Sequence, residues 1–461
     1  MFNVEFNKPA HIYFIGIGGI SMSGLAHILE DKGFKISGSD AKESAMTKAL
    51  EDMGIKVFYS QKKENLDSCG NIDAVVYTAA VHPDNPEFIA AKEKNIPLLT
   101  RAELLGQIMK EYELPVAISG THGKTTTTSM ISKVLLEANM DPTLSIGGIF
   151  KDIGGNIRVG QSKYFVTEAC EYTNSFLSFF PKVSIVLDID ADHLDFFKDL
   201  DDIRNSFKKF CNLLPDDGTL IINSDIDNME EITEGLSCNI ITYGSKDSSD
   251  YYPSDITYDE LANASFTINR KNKAPIQIKL SVPGEHNVYN AIAAVAACDL
   301  MGVDPEYMIK ALREFTGTNR RFEHKGVVDG VTIVDDYAHH PTEIKATLSA
   351  AQNYPHKTLW CVFQPHTYTR TKALMHEFAE ALSLADKVVL ADIYAARETD
   401  HLGISSRTLQ EEIKSLGHDC YYFPSFEEIE KFLLQNCTKD DLLITMGAGD
   451  VVKIGENLLG K

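Results

Sequence analysis

The sequence has no surplus of basic residues: 44 Lys and Arg stand against 66 Asp and Glu, a formal net charge of −22. A field of that sign repels polyanions, so nucleic acid and anionic membrane surfaces are disfavoured as partners, whereas a small phosphorylated ligand held by a few local amides and cations is not. Paired cysteines are lacking too. The eight, Cys69, Cys170, Cys211, Cys238, Cys298, Cys361, Cys420 and Cys437, form neither a C-x-x-C pair nor a disulfide-rich block, which fits free thiols in a reducing compartment. No apolar run is long. The longest, around Ala291–Ala297, falls far short of the ~20 residues that cross a bilayer. Near the start Glu5 precedes an apolar run that breaks at Gly16, without the basic stretch and cleavable apolar segment of a secretory signal. A soluble, cytoplasmic protein is expected. Internal repeats and low-complexity tracts are absent as well.

What is present is an average globular composition, 44% hydrophobic and 24% charged over 461 residues, and at ~150 residues per domain this predicts about three domains. Short β-branched runs alternate with amphipathic segments from end to end, the pattern of α/β folds with parallel sheets. Residues 1–108 read as a small doubly wound domain, with strands near 11–18, 35–40, 74–80 and 97–100 and helices near 21–32, 47–53 and 87–94. Residues 109–316 read as a larger nucleotide-type domain, with strands near 115–120, 164–167 and 183–190 and a helix over 125–139. Between 224 and 281 the pattern becomes alternating and rich in Thr and Asn, which predicts an antiparallel addition before helices at 288–301 and 305–315. After the break at Gly317-Thr318-Asn319, residues 317–461 read as a third α/β domain, with strands near 332–336, 358–364 and 388–393 and helices near 342–352 and 372–384.

The sharpest motif is Gly120-Thr121-His122-Gly123-Lys124-Thr125-Thr126-Thr127, placed where a strand ends and a helix begins. Backbone N–H groups and a helix N-terminus favour phosphate oxygens there, Lys124 can neutralise the β/γ-phosphates, and Thr125 can reach Mg²⁺. The full phosphate-loop pattern wants its first glycine where Ile118 stands, so the match is to a shortened variant. A mere Thr-capped turn is the bland reading, but four Thr residues at a helix start cost helix propensity without a packing return. Gly16-Ile17-Gly18-Gly19-Ile20-Ser21 also follows a strand, with Asp40 after the next one. Ser21 replaces the third glycine of a dinucleotide fingerprint, so nicotinamide binding is disfavoured, while a turn able to hold a diphosphate remains.

Glu168 and His193 follow two further strands of the central domain. Strand C-termini line the cleft of an open sheet, so both can face the triphosphate as Mg²⁺ ligands beside Thr125. Asp188, Asp199, Asp201 and Asp202 are expected to be capping or solvated residues. The C-terminal domain adds Asp335-Asp336-Tyr337-Ala338-His339-His340-Pro341 and Gln364-Pro365-His366-Thr367-Tyr368-Thr369-Arg370, each after a strand. A shared transition-metal ion is disfavoured for His339 and His340, because neighbouring side chains in extended backbone point to opposite faces and no third ligand lies at metal-site spacing.

Together these segments resemble the Mur ligase family, the ATP-dependent amide-forming enzymes of peptidoglycan synthesis, over essentially the whole chain. Gly120–Thr127 is similar to the family's ATP loop, Gly284-Glu285-His286-Asn287-Val288-Tyr289-Asn290-Ala291 to its adenine-contacting helix start, and Arg320-Arg321-Phe322-Glu323 to the entry of its third domain. Gly16–Gly24, Asp336–Pro341 and Gln364-Pro365-His366 resemble the members that add the first amino acid. The resemblance implies three domains and two small substrates, UDP-N-acetylmuramate and L-alanine, with ATP and Mg²⁺. By the same match Gly16, Gly18, Gly19, Ile20, Ser21 and Asp40 would hold the UDP-sugar. Gly120, Thr121, His122, Gly123, Lys124, Thr125, Thr126, His286, Asn287, Asn290, Arg321 and Asp336 would hold ATP, with Thr125, Glu168 and His193 on the metal. Tyr337, His366 and Arg370 would meet the amino acid, and Lys124, His193 and Arg370 would carry catalysis. Thr367 stands where some relatives carry an arginine, which puts the alanine carboxylate on Arg370. The rivals are a recycling ligase of the same family that takes a tripeptide, a nicotinamide-dependent oxidoreductase built on Gly16–Gly24, and a non-catalytic nucleotide switch.

Overall fold

The computed structural model describes residues 2–78, 80–396 and 398–461, and in it the chain forms three sheets that follow one another along the sequence. Ala79, in the strand expected over 74–80, lies outside the described residues. The first sheet is parallel, in the order Lys56–Phe58, Lys35–Ser39, His11–Ile15, Ala74–Tyr77, Leu98–Thr100. The chain builds outward on one side of His11–Ile15 and then crosses to the other. A crevice therefore opens at the C-terminal end of that strand, where the Gly16–Ser21 turn sits.

The central sheet runs Lys273–Pro283, Asn263–Arg270, Tyr251–Tyr258, Asn239–Tyr243, Thr219–Asn223, Val183–Val186, Leu114–Ser119, Tyr164–Glu168, Thr143–Phe150, Gly155–Arg158. Its switch point is the end of Leu114–Ser119, flanked by Tyr164–Glu168 and Val183–Val186, so the Gly120–Thr127 loop, Glu168 and Asp188 emerge side by side. The antiparallel addition expected over 224–281 is narrower than the pattern implied. Asn239–Tyr243 continues the parallel sheet, and only Tyr251–Tyr258, Asn263–Arg270 and Lys273–Pro283 pair antiparallel. Asn239–Tyr243 is half-buried near a sheet flank, so it carries the same mixed pattern as its antiparallel neighbours.

The third sheet runs Glu323–Val328, Val331–Asp336, Leu442–Met446, Leu359–Phe363, Lys387–Leu390, Cys420–Tyr422. Leu442–Met446 inserts between Val331–Asp336 and Leu359–Phe363, and that crevice receives Asp336, Gln364 and Gly447. The helix expected over 372–384 is broken into Tyr368–Ala373 and Met375–Leu382, with Leu374 at φ −117° between them. Periodicity missed the helices Arg101–Met109 and Leu200–Cys211 and the hairpin Thr143–Phe150/Gly155–Arg158. The hairpin holds Gly147, Gly148, Gly154 and Gly155, which read as turn rather than strand. No helix among the described residues is long and apolar enough to cross a membrane.

The modules are joined in two different ways. One apolar cluster runs from Ile12, Phe14, Leu25 and Leu104 of the first module into Phe165, Phe176, Phe207 and Phe210 of the central one. The C-terminal module keeps its own clusters, around Val334, Phe363 and Ile444 and around Trp360 and Leu443. It meets the central module through polar contacts: Asn319 N–H to the Ile149 carbonyl at 3.2 Å, Thr342 Oγ1 to Asp190 Oδ2 at 2.6 Å, and Arg370 Nε to Asp192 Oδ1 at 3.0 Å.

Close backbone approach seals the first joint. A Cβ on Gly106 would lie 1.9 Å from the Ser178 carbonyl oxygen, and one on Gly24 would lie 1.9 Å from Ile157 Cγ1. Two effects oppose each other in Gly106→Ala. Alanine raises helix propensity by about 1 kcal/mol, but forcing the backbones apart costs about 1–3 kcal/mol. Gly106→Ala is therefore expected to lower the thermal midpoint, and calorimetry showing an unchanged or higher midpoint would refute the close-packed joint.

Candidate active site

Helix Lys124–Glu137 starts from Gly123, which sits at φ +80° without a side-chain cap, so its first amides face outward. A Cβ at Gly123 would lie 2.5 Å from Asn290 Oδ1, and one at Gly120 would lie 2.8 Å from both Asp188 Oδ1 and Leu187 Cβ. Only glycine fits either position. Asp188, expected to be a capping or solvated residue, accepts the His122 N–H at 2.8 Å and lines a cavity. Thr121 Oγ1 accepts the Asp190 N–H at 2.9 Å. Lys124 Nζ donates to the carbonyls of Gly120 and Thr121 and lies 3.0 Å from Glu171 Oε2. Burial works against its charge, but Glu171 outweighs that and holds the ammonium protonated above its usual range.

Glu168 accepts the Gly147 N–H at 2.6 Å and the Thr125 hydroxyl, and burial raises its pKa. His193 has φ +54°, a strained conformation for a non-glycine residue, with its ring tilted against that of Tyr172, centroids 4.6 Å apart. Its Nε2 is 3.8 Å from both Glu171 Oε1 and Asp192 Oδ2, and burial lowers its pKa. A buried carboxylate, a hydroxyl and a neutral imidazole around one space suit a hard divalent cation.

Three cavities meet here. A chamber of about 570 Å³ is lined by Thr121, Gly123, Lys124, Thr125, Glu168, Asp192, His193, Arg321 and Tyr337. It shares Gly123, Arg321 and Glu343 with a second chamber of about 450 Å³, whose wall also carries His122, Thr126, His286, Asn287, Asn290 and Asp336. It shares Asp192, His193, Tyr337 and His339 with a third of about 210 Å³, lined also by His366 and Arg370. Every residue expected for ATP, metal and amino acid, apart from Gly120 in the turn itself, thus lines one of three adjoining cavities. Several have structural duties there. Thr127 Oγ1 donates to Asn290, Asn290 Nδ2 to Asn287 Oδ1 at 3.1 Å, and Asn287 Nδ2 to the Pro283 carbonyl at 2.7 Å, a relay that sets the chamber wall. Asp336 accepts the N–H groups of Phe322 and Ala338, and burial pushes its carboxyl up to about 6.

The glycine turn lies to one side. Asp40 Oδ2 accepts the Gly18 N–H at 2.8 Å, so it closes the turn from below. Ser21 accepts from Arg101 at 3.0 Å, and the Ile20 carbonyl accepts from Asn156 of the central module at 2.9 Å. Among Gly16, Gly18, Gly19, Ile20, Ser21 and Asp40, only Ile20 reaches the 570 Å³ chamber. Arg370 is not a surface residue: its guanidinium pairs with Asp192 at 2.9 and 3.0 Å, with the two side chains 10% and 8% exposed.

Comparison with known proteins agrees along the whole chain. The family model for the Mur ligase family, catalytic domain, matches residues 11–113, that for the Mur ligase middle domain residues 118–298, and that for the Mur ligase, glutamate ligase domain residues 320–449. The chain belongs to the Mur ligase family. It is 61% identical over 460 residues to a UDP-N-acetylmuramate–L-alanine ligase of Lachnospira eligens and 60% identical over 461 residues to one of Agathobacter rectalis, with 100% of each chain aligned. Among solved structures it is similar to the UDP-N-acetylmuramate-alanine ligase of Thermotoga maritima, with TM-score 0.81, 30% identity and 98% of both chains covered. A murein peptide ligase from Psychrobacter arcticus gives TM-score 0.74, 25% identity and 98% coverage of both chains.

Within this Mur ligase, motif reading gave no site role to Gly147, Glu171, Asp192, Arg101, Glu343 or, once a metal shared with His340 was set aside, His339, all placed by tertiary contacts around the chambers or the glycine turn. The positive φ of His193 leaves no trace in sequence. His339 has a measurable signature. Its side chain is 20% exposed, and burial pulls its pKa down from 6.5 to about 4. The unfolded chain therefore binds a proton between pH 6.5 and 4 that the folded chain does not, so stability is full above that window and falls through it. From pH 7 to pH 5 this costs roughly 2 kcal/mol. Urea unfolding of His339→Asn should show a smaller loss over that range than the wild type. Parallel pH profiles would refute the assignment.

Proposed function

We propose that this Mur ligase joins L-alanine to the lactyl carboxylate of UDP-N-acetylmuramate, converting ATP to ADP and phosphate. The observation that carries the proposal is the set of three adjoining chambers that share walls, with Lys124, Glu168 and His193 in the middle one. The relatives of 60–61% identity over the full length, named for that reaction, support it. In this reading residues 1–108 bind the UDP-sugar, 109–316 hold ATP, and 317–461 close over the nucleotide and bring the amino acid. A cytoplasmic setting fits, since ATP and the nucleotide sugar are found there.

ATP lies with its base in the 450 Å³ chamber, by His286, Asn287 and Asn290, and its ribose near Asp336. Its phosphates lie over Gly120–Thr126. The substrate carboxylate attacks the γ-phosphorus and ADP leaves; the alanine amine then attacks the acyl carbon, and phosphate departs as the amine gives up its proton. Negative charge gathers on phosphoryl oxygens and then on a tetrahedral oxygen, and Lys124, Arg321 and the first amides of the helix oppose it. Thr125, Glu168 and His193 are the residues that would hold Mg²⁺, which supplies further charge neutralisation at the phosphates. Burial keeps His193 neutral, with a lone pair to offer a cation. Arg370, His366 and Tyr337 orient alanine in the 210 Å³ chamber.

The direct test is phosphate release from ATP with UDP-N-acetylmuramate and each amino donor in turn. Release with alanine is expected; release with a tripeptide alone would instead make the chain a recycling ligase. Lys124→Ala should abolish turnover while leaving UDP-sugar binding nearly intact by calorimetry, and undiminished turnover would sink its role.

Two metal-ligand variants, Glu168→Ala and His193→Ala, should each shift the Mg²⁺ activation curve to higher concentration or remove activity. Curves superposable on the wild type would exclude both as ligands. For Arg370→Ala the alanine KM should rise at least ~10-fold with the ATP KM little changed, and Arg370→Lys should recover only part, because a point charge lacks the two-pronged fork. An unchanged alanine KM would leave Arg370 as Asp192's partner and no more.

A further inference from the structure

His122 of the ATP loop, Asp190 after strand Val183–Val186, and His340 of the C-terminal module converge beside the nucleotide chamber. His122 Nε2 is 3.3 Å from Asp190 Oδ2, His340 Nδ1 is 3.8 Å from the same oxygen, and one ligand atom from each lies within 4.8 Å of the other two. Four ligands around an ion at about 2.0–2.2 Å sit roughly 3.3–3.6 Å apart when tetrahedral. The three side chains therefore need only small rotations to share one ion.

Each imidazole turns one nitrogen toward Asp190 and the other toward a second acceptor. His340 donates Nε2–H to the Ala191 carbonyl at 3.1 Å, which leaves the lone pair on Nδ1, now a weak acceptor for the Thr342 N–H at 3.4 Å. His122 turns its other nitrogen, Nδ1, to Glu343 Oε1 at 3.4 Å. The Ala191 carbonyl behind His340 sets its tautomer, while His122 faces a carboxylate with each nitrogen, so an ion at Nε2 takes the place of the proton shared with Asp190 and Glu343 keeps the Nδ1–H. Asp190 is steadied by the Thr342 hydroxyl at 2.6 Å and by the Ala191 N–H at 2.7 Å.

We propose that His122, Asp190 and His340 form a binding site for one zinc-like divalent ion that ties the central module to the C-terminal one. Two imidazoles and one carboxylate favour Zn²⁺, Co²⁺ or Ni²⁺ over Mg²⁺, which prefers oxygen ligands. The site shares no residue with the Thr125, Glu168 and His193 set, and its geometry does not depend on which amino acid the enzyme takes. Two ligands belong to the central module and one to the C-terminal module, so a bound ion clamps the polar joint between them. An ion at this place holds the modules together beside the 450 Å³ chamber, whose wall includes His122 and Thr342.

The test uses the full-length, nucleotide-free protein in excess Mg²⁺, titrated with Zn²⁺ by calorimetry and with Co²⁺ by visible absorption. One Zn²⁺ per chain is expected, weakened at least ~10-fold in His340→Gln and in Asp190→Asn and retained in His193→Ala. The Co²⁺ spectrum should be that of a four-coordinate ion without a thiolate charge-transfer band. Far-UV circular dichroism of each variant separates lost ligation from lost folding, and the wild-type Co²⁺ spectrum stands whether or not a variant folds. Zinc binding unchanged in both His340→Gln and Asp190→Asn, lost in His193→Ala, displaced by Mg²⁺, or marked by a thiolate band would each overturn the proposal.

Discussion

Buried charge must be paired, and the site is organised by that requirement. Lys124 rests on Glu171, Arg370 on Asp192, and Arg320 on Asp335 at 2.9 Å, while Glu343 lies among Arg321, His122 and His339. An unpaired ion at such depth costs several kcal/mol, so each cation meant for a ligand's anionic group is held by a carboxylate of the protein. In the proposed reaction, phosphate and amino-acid carboxylate would then enter by exchanging partners rather than by filling an empty electropositive hole. The overall net charge of −22 is compatible with triphosphate binding for the same reason: the local cations are few, placed and screened by their own carboxylates.

The modules divide this labour. The first two share an apolar cluster and touch backbone to side chain at Gly24 and backbone to backbone at Gly106, which fixes the glycine turn relative to the ATP loop. The third has its own core and reaches the central module through hydrogen bonds and ion pairs. Polar contacts of this kind can be remade with water or ligand at little net cost, whereas separating the apolar joint exposes buried surface. Motion is therefore cheapest between the central and C-terminal modules, where the 450 Å³ and 210 Å³ chambers lie.

Local chemistry by itself determined a good deal. An uninterrupted Gly-Thr-x-Gly-Lys-Thr after an apolar run states a phosphate loop, because only glycine tolerates the φ of +143° at Gly120 and +80° at Gly123, and only a helix start presents free amides. The alternation of β-branched runs and amphipathic segments likewise stated the α/β class, since both periods are local properties of the chain. The positions of Glu168 and of Gln364–Arg370 followed from the rule that strand ends line the cleft. Where the hydrophobic period was masked by glycines, as in the hairpin Thr143–Arg158, or blurred by half-burial, as in Asn239–Tyr243, local reading failed.

Only the tertiary structure decided who meets whom. Sequence separates Arg370 from Asp192 by 178 residues and His340 from Ala191 by 149, and nothing in either segment names the other. Sequence spacing argued against an ion shared by His339 and His340. The fold does turn them apart, one toward His366 and the other toward His122 and Asp190. A residue's type and backbone conformation are written locally; its burial, its pKa and its partners depend on which strand ends the sheet order brings together, and that is set by the packing of the whole chain.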